Sequence, residues 1–270
     1  MKIFIELLAF LTSPLLMTNA QVVEGDVKSM IFFNDSTKVI EETVEMADSA
    51  YIQGNYPTAA AIYEGIISNG KVSPSIYMNL GSSYYKMDEI AKAILNYERA
   101  YLLDPSDEDV RFNLELARTH IVDKEVIVNE LFIISWYKKL GASLSISQWT
   151  LCAIACFSML FIAVAVFVLS RKVNIKKVFF SISLGLIFIT IFSFSFAYSQ
   201  KKRLLYSGSA IIMSPSVTVK STPSENGTEL FIIHEGRKVR VLDSTMNDWV
   251  EISLNDGNKG WVQNSSIEYI

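Results

Sequence analysis

Two stretches of the chain, residues 149–169 and 178–198, are dominated by apolar residues and contain no charged side chain. Each matches the ~20 residues a helix needs to cross a hydrocarbon layer. The link between them carries Arg171, Lys172, Lys176 and Lys177. So short a link turns the chain back on itself. The pattern therefore predicts an antiparallel transmembrane hairpin, with whatever precedes and follows it held at one membrane face. Upstream of the hairpin apolar positions recur at helical spacing. From about Ser207 onward they alternate in short runs broken by Gly, Pro, Ser and Asn.

The helical region repeats itself after 34 residues: Met46 aligns with Leu80, Ala47 with Gly81, Tyr51 with Tyr85, Ala59 with Ala93, Tyr63 with Tyr97 and Glu64 with Glu98. A period of that length is typical of stacked helix pairs. Small residues at Ala47/Gly81 and Ala59/Ala93 allow close helix approach, and tyrosines fill the spaces between. Gly54 and Asn55 supply the turn of the first copy. The second copy resembles the tetratricopeptide repeat, with Tyr77, Leu80, Gly81 and Tyr84 on one helix, Ala93, Tyr97 and Ala100 on the next, and Pro105 at the end. The first copy departs from that pattern at Ile66 and Lys71. The expected domain spans 38–121, with repeats 40–73 and 74–107 and a capping helix 108–121.

In that family the first-helix positions facing the concave groove commonly hold extended peptides. The resemblance implies Met78, Asn79, Ser82, Tyr85 and Lys86, then Phe112 and Asn113, as partner-binding residues. An asparagine amide suits the role because it pairs with a peptide N–H and C=O together. Lysines of the carboxylate-clamp type are not evident, so a free C-terminus is not the expected ligand.

Past the hairpin, alternation over 216–220, 229–233, 238–242, 249–252 and 260–262, with a turn at Asn255, Asp256 and Gly257, predicts five short strands in a small β-barrel. The order of Val219, Pro223, Gly227, Leu230, His234-Glu235-Gly236, Val239, Asp248-Trp249-Val250 and Gly260-Trp261-Val262 resembles a bacterial SH3-like domain over 207–270. Such domains bind peptides or cell-wall glycans, which makes Trp249 and Trp261 further partner-binding candidates.

Charge narrows the partners. Residues 21–137 hold 19 acidic and 9 basic side chains, and an acidic surface repels phosphate backbones, so no nucleic acid is expected. Cys152 and Cys156, four apart within the first apolar stretch, read as packing residues. His120 and His234 have no cysteine or carboxylate at ligand spacing, so no metal or cofactor is expected. Walker, dinucleotide, HExxH and Gly-x-Ser-x-Gly motifs are missing from the sequence. The reading is of a protein that is not an enzyme.

Lys2, an apolar core and Thr18-Asn19-Ala20 before Gln21 predict a cleaved signal peptide over 1–20, despite Glu6 in the apolar run. Export of Gln21 onward leaves the basic loop 170–177 cytoplasmic and both soluble parts periplasmic, in agreement with the positive-inside rule. Lys201, Lys202 and Arg203 oppose that orientation.

The series of signal peptide, tetratricopeptide repeats, hairpin and SH3-like barrel resembles BatE of the Bacteroides aerotolerance (Bat) system. The stretches Asn113-Leu-Glu-Leu-Ala-Arg118 and Gly227-Thr-Glu-Leu-Phe231 add to the likeness. The resemblance implies an inner-membrane adaptor beside von Willebrand-A-type Bat proteins, linked to oxidative-stress tolerance. The alternative is a cell-wall sensor whose barrel binds peptidoglycan.

Overall fold

The computed structural model describes residues 43–123, 131–205 and 208–270. The expected signal peptide and the start of the first repeat lie outside them. The architecture below belongs to one compact unit, Met46–Ile270.

Five helices come first: α1 (residues 43–52), α2 (Tyr56–Ser68), α3 (Pro74–Lys86), α4 (Ile90–Leu103) and α5 (Glu108–Arg118). Their ends follow from local chemistry. Asn55 caps α2 by accepting from the Thr58 N–H, Ser73 caps α3 with Pro74 in the first turn, and Asp107 accepts from Asp109 and Val110 at the start of α5. The turn inside each pair needs one left-handed residue. Gly54 provides it in the first pair at φ 78°, and Asp88, one period later, provides it in the second at φ 64°.

Packing within the pairs depends on small side chains. Ala47, Ala59 and Ala93 are fully buried. At Gly81 a methyl group would stand 2.8 Å from the Tyr97 ring, so the tyrosine lies directly on the α3 backbone.

The apolar stretches form two helices, α7 (Ile146–Leu169) and α8 (Val173–Leu205), both long and apolar enough to cross a membrane. Ser145 opens α7 with a capping box to Gln148. The link is shorter than the sequence pattern indicates. Lys176 and Lys177 lie on the first turns of α8, and the connection shrinks to residues 170–172. Lysine is a good helix former, so the helix need not stop where the apolar run stops. For the same reason α8 continues through Lys201, Lys202 and Arg203. Cys152 and Cys156 are free thiols, and Cys152 accepts from the Ser193 hydroxyl at 3.5 Å.

A further helix, α6 (Phe132–Gly141), precedes the hairpin and has no counterpart in the sequence reading. Tyr137 and Leu140 pack on Trp149 and Phe196. The Gly141 carbonyl accepts from the Trp149 indole at 3.0 Å, and Tyr137 shares a 2.9 Å hydrogen bond with Ser195.

The C-terminal part is an antiparallel sheet of seven strands: β1 (Ser209–Ile212), β2 (Ser216–Lys220), β3 (Glu229–His234), β4 (Lys238–Asp243), β5 (Trp249–Ser253), β6 (Lys259–Gln263) and β7 (Ile267–Tyr269), in the order β3-β2-β6-β5-β4-β1-β7. One face supplies the core, in which Ile212, Val219, Val239, Val250, Ile252 and Val262 are buried. Two strands exceed the five expected. β1 and β7 are four and three residues long, too short to show alternation, and they are held by ladder pairing, β1 with both β4 and β7, and β7 with β1.

The β-domain is seated on α4, α5 and the segment after them. Glu98 on α4 is 2% exposed and accepts from Lys238 at 2.7 Å and from Arg118. Arg99 reaches Glu268 at 3.0 Å and the Tyr269 carbonyl at 2.7 Å. Asp123 accepts from the His234 N–H at 2.7 Å and lies 2.9 Å from His234 Nδ1. The sequence offers His234 no carboxylate at ligand spacing; the fold supplies one, Asp123, 111 residues away. The Gly236 turn fits between Ile121 and Ile94; a methyl there would come within 2.5 Å of Ile121.

Candidate functional site

Two concave surfaces collect three of the nine candidate side chains, Asn79, Ser82 and Trp249. The first is the groove between α1, α2 and α3, a pocket of 300 Å³ lined by Asp48, Tyr51, Ile52, Tyr63, Asn79 and Ser82. The helix pairing that produces the core also produces this surface. Tyr97 reaches under α3 to donate to Ser82 at 3.1 Å, and Tyr63 reaches under α1 to donate to Asp48. Burial raises the Tyr97 hydroxyl to about 12. Burial, followed by the hydrogen bond to Asp48, raises that of Tyr63 further. Both phenols therefore remain proton donors at any physiological pH.

Of the residues expected in the groove, Asn79 and Ser82 line the pocket. The Asn79 amide donates to Asp48 at 3.2 Å, which orients it and leaves its carbonyl end for a ligand. Tyr85 lies farther along α3, with its hydroxyl 3.0 Å from His120 Nε2 and its ring edge-on to the imidazole. Met78 is half-buried and Lys86 is exposed; on α5, Phe112 is exposed and Asn113 half-buried. These four do not line the pocket. Asp48, Tyr51 and Tyr63 do, and the sequence reading did not place them in the groove. The repeat contained the signal: Asp48 is one period before Ser82, and Tyr51 one period before Tyr85.

The second surface surrounds Trp249. A cleft of 660 Å³ is lined by Glu225, Asn247, Asp248, Trp249, Gln263, Asn264 and Ser265. A smaller hollow of 330 Å³ shares Trp249, Glu225 and Gln263, and adds Thr218 and Lys220. The wall is fixed by its own hydrogen bonds. Gln263 donates to Glu225 at 2.6 Å, Lys220 bonds the Glu225 carbonyl, and the Lys220 ammonium is 5.9 Å from the centre of the Trp249 ring. One aromatic face framed by amides, hydroxyls and carboxylates can stack on a sugar or a peptide side chain while hydrogen-bonding its polar groups. Trp261 is half-buried and lines neither hollow. It stands opposite Lys220 and Glu251 in the ladder.

Comparison with known families identifies two domains in the chain. Residues 74–107 match the tetratricopeptide repeat model, and residues 215–268 match the bacterial SH3 domain model. No curated protein matches the chain closely. The fold is thus a helical part containing a tetratricopeptide repeat, two apolar helices, and an antiparallel SH3-like sheet. Both matched domains are of kinds that typically bind other molecules rather than catalyse reactions, and they fit protein or peptidoglycan partners.

Proposed function

We propose that this protein is a non-enzymatic membrane adaptor that gathers partner proteins through its repeat groove and its SH3-like domain. The observation that carries the reading is the junction at Glu98. It joins the two binding modules, and the open end of the apolar hairpin lies beside them: Gln200 and Arg203 of α8 share a 160 Å³ cavity with Glu98, Tyr101 and Lys238. Two separate grooves joined at one junction on a membrane hairpin are suited to holding two partners beside each other. In this reading α7 and α8 span the inner membrane, the link at 170–172 is cytoplasmic, and both modules face the periplasm. The resemblance to BatE supplies the setting, a Bat complex with von Willebrand-A-type partners and a role in aerotolerance. The groove residues Asn79 and Ser82, with Met78, Tyr85 and Lys86 along α3 and Phe112 and Asn113 on α5, form the proposed contact for an extended segment.

The test is co-purification from native membranes after crosslinking. Asn79→Ala combined with Asn113→Ala should abolish partner recovery while leaving the thermal transition in place. Undiminished recovery would remove the groove from the proposal.

The polar cleft around Trp249 favours a second reading, a cell-wall sensor that grips peptidoglycan. Sedimentation of the detergent-solubilised full chain with purified sacculi separates the two. Retention that depends on Trp249 supports the sensor, and no retention supports the adaptor.

A further inference from the structure

Helix α6 has more apolar surface than the described residues cover. At about 100° per residue, Ser135, Lys138 and Lys139 fall within one arc of roughly 100°, and every other position of the helix is apolar, aromatic or glycine. The C-terminal portion of that apolar arc is packed, with Tyr137 and Leu140 against Trp149 and Phe196. The N-terminal portion is not. Phe132 is 82% exposed, Ile133 75% and Trp136 53%. Ile133 and Trp136 continue the packed side away from the lysines, and Phe132, seven residues before Lys139, lies at its edge beside the polar arc.

The place of α6 on the hairpin narrows what covers that surface. Its partners Trp149, Ser195 and Phe196 are at the hairpin's open end, far from the 170–172 link. There the apolar run of α8 gives way to Gln200, Lys201, Lys202 and Arg203. Gln200 donates to the Leu144 carbonyl at 2.8 Å, tying down the chain between α6 and α7. The uncovered face of α6 is therefore continuous with the exposed apolar sides of α7 and α8, at the level where apolar composition becomes basic. A short helix with Trp and Tyr on its apolar side and lysines opposite matches the physical requirements of a bilayer interface.

We propose that α6 lies in the plane of the membrane on the side that carries the soluble domains. Ile133 and Trp136 enter the boundary between acyl chains and headgroups with Phe132 at its edge, and Lys139 extends toward lipid phosphates. The helix acts as a float that fixes the height of the repeat domain above the bilayer. The inference rests on the membrane-spanning reading of α7 and α8.

Site-directed spin labelling of the full chain in phosphatidylcholine–phosphatidylglycerol vesicles tests it. Single labels are placed at Trp136→Cys, Phe161→Cys and Ser244→Cys in a Cys152→Ala, Cys156→Ala background. The label at 161 should lie deep. The label at 136 should lie shallow, with collisions with a water-soluble nickel chelate at least about threefold below those at 244. A deep 161 with 136 as accessible as 244 overturns the inference and leaves the membrane hairpin standing. Accessibility at both 136 and 161 removes the hairpin reading, and the inference with it. Shielding at 136 that disappears as the protein is diluted with lipid assigns the face to a second copy of the chain, and likewise overturns the inference.

Discussion

Tyr97 passes beneath α3 and donates its hydroxyl to Ser82 at 3.1 Å. One period earlier Tyr63 makes the same reach to Asp48. The two repeats thus conserve a geometry, a second-helix phenol anchoring a first-helix polar residue at the groove floor, while changing the acceptor from hydroxyl to carboxylate. The change makes the first repeat's end of the groove more acidic and gives Asn79 an acceptor to orient against.

Removing either phenol hydroxyl should loosen the groove without emptying the core. Tyr97→Phe keeps the ring on Gly81 and loses one hydrogen bond, an expected cost of about 1 kcal/mol. Gly81→Ala should cost more, about 1–3 kcal/mol, because the new methyl meets the buried ring at 2.8 Å. Thermal denaturation of the two variants should rank them in that order.

The repeat domain should be sensitive to alkali. Tyr97 is held protonated by burial, with its hydroxyl at about 12 against an ordinary value of 10.0. Burial, then the hydrogen bond to Glu64, also raises Tyr84. A pKa raised by folding stabilises the fold fully below the unfolded value, and the gain is lost as pH climbs through the folded one. For Tyr97 the loss falls between pH 10 and 12 and amounts to about 3 kcal/mol. Tyrosinate absorbance and helical circular dichroism should change together in that window, and in Tyr97→Phe the helical loss should shift to higher pH.

The junction between modules should fail at Glu98. Its carboxylate is almost wholly buried between Lys238 and Arg118, whose side chains are about a third exposed. Glu98→Gln leaves two cations without a counter-charge, at an expected cost of about 2–4 kcal/mol. Breaking the more exposed Arg99–Glu268 pair with Glu268→Gln should cost under about 1 kcal/mol. Hydrogen exchange at Ile121 and the Gly236 turn should accelerate in the first variant and change little in the second.

The two tryptophans should separate by role. Trp249→Ala should weaken binding at the polar cleft about tenfold or more if the cleft carries the SH3-like domain's contacts. Trp261→Ala, outside both hollows, should leave binding intact and act on stability. Titration with the recovered ligand and thermal melts of the same preparations check both halves.

The local rhythm of the chain was enough for the elements that carry their own pattern. The 34-residue period places Gly54 and Asp88 at equivalent turns, and the alternation over 216–220 coincides with β2. The charge-free runs became α7 and α8. Helix α6 was missed because Leu131 to Trp136 is apolar at almost every position, which gives no periodicity to read until the hairpin covers one side. β1 and β7 were missed because each is too short to show alternation and is defined by distant ladder partners, β4 and β7 for β1, and β1 for β7.

What the sequence alone determined, then, is whatever depends on neighbours within a few residues or one repeat: helix turns, caps, strand alternation, and the length of an apolar run. The tertiary structure decided which distant groups meet. It set His234 against Asp123, Lys238 and Arg118 around Glu98, and Asp48 beside Asn79. The reason is physical. Backbone periodicity is imposed by bonds and steric clashes that act locally, whereas the partner of a buried charge is chosen by the packing of whole elements, which no short stretch of sequence encodes.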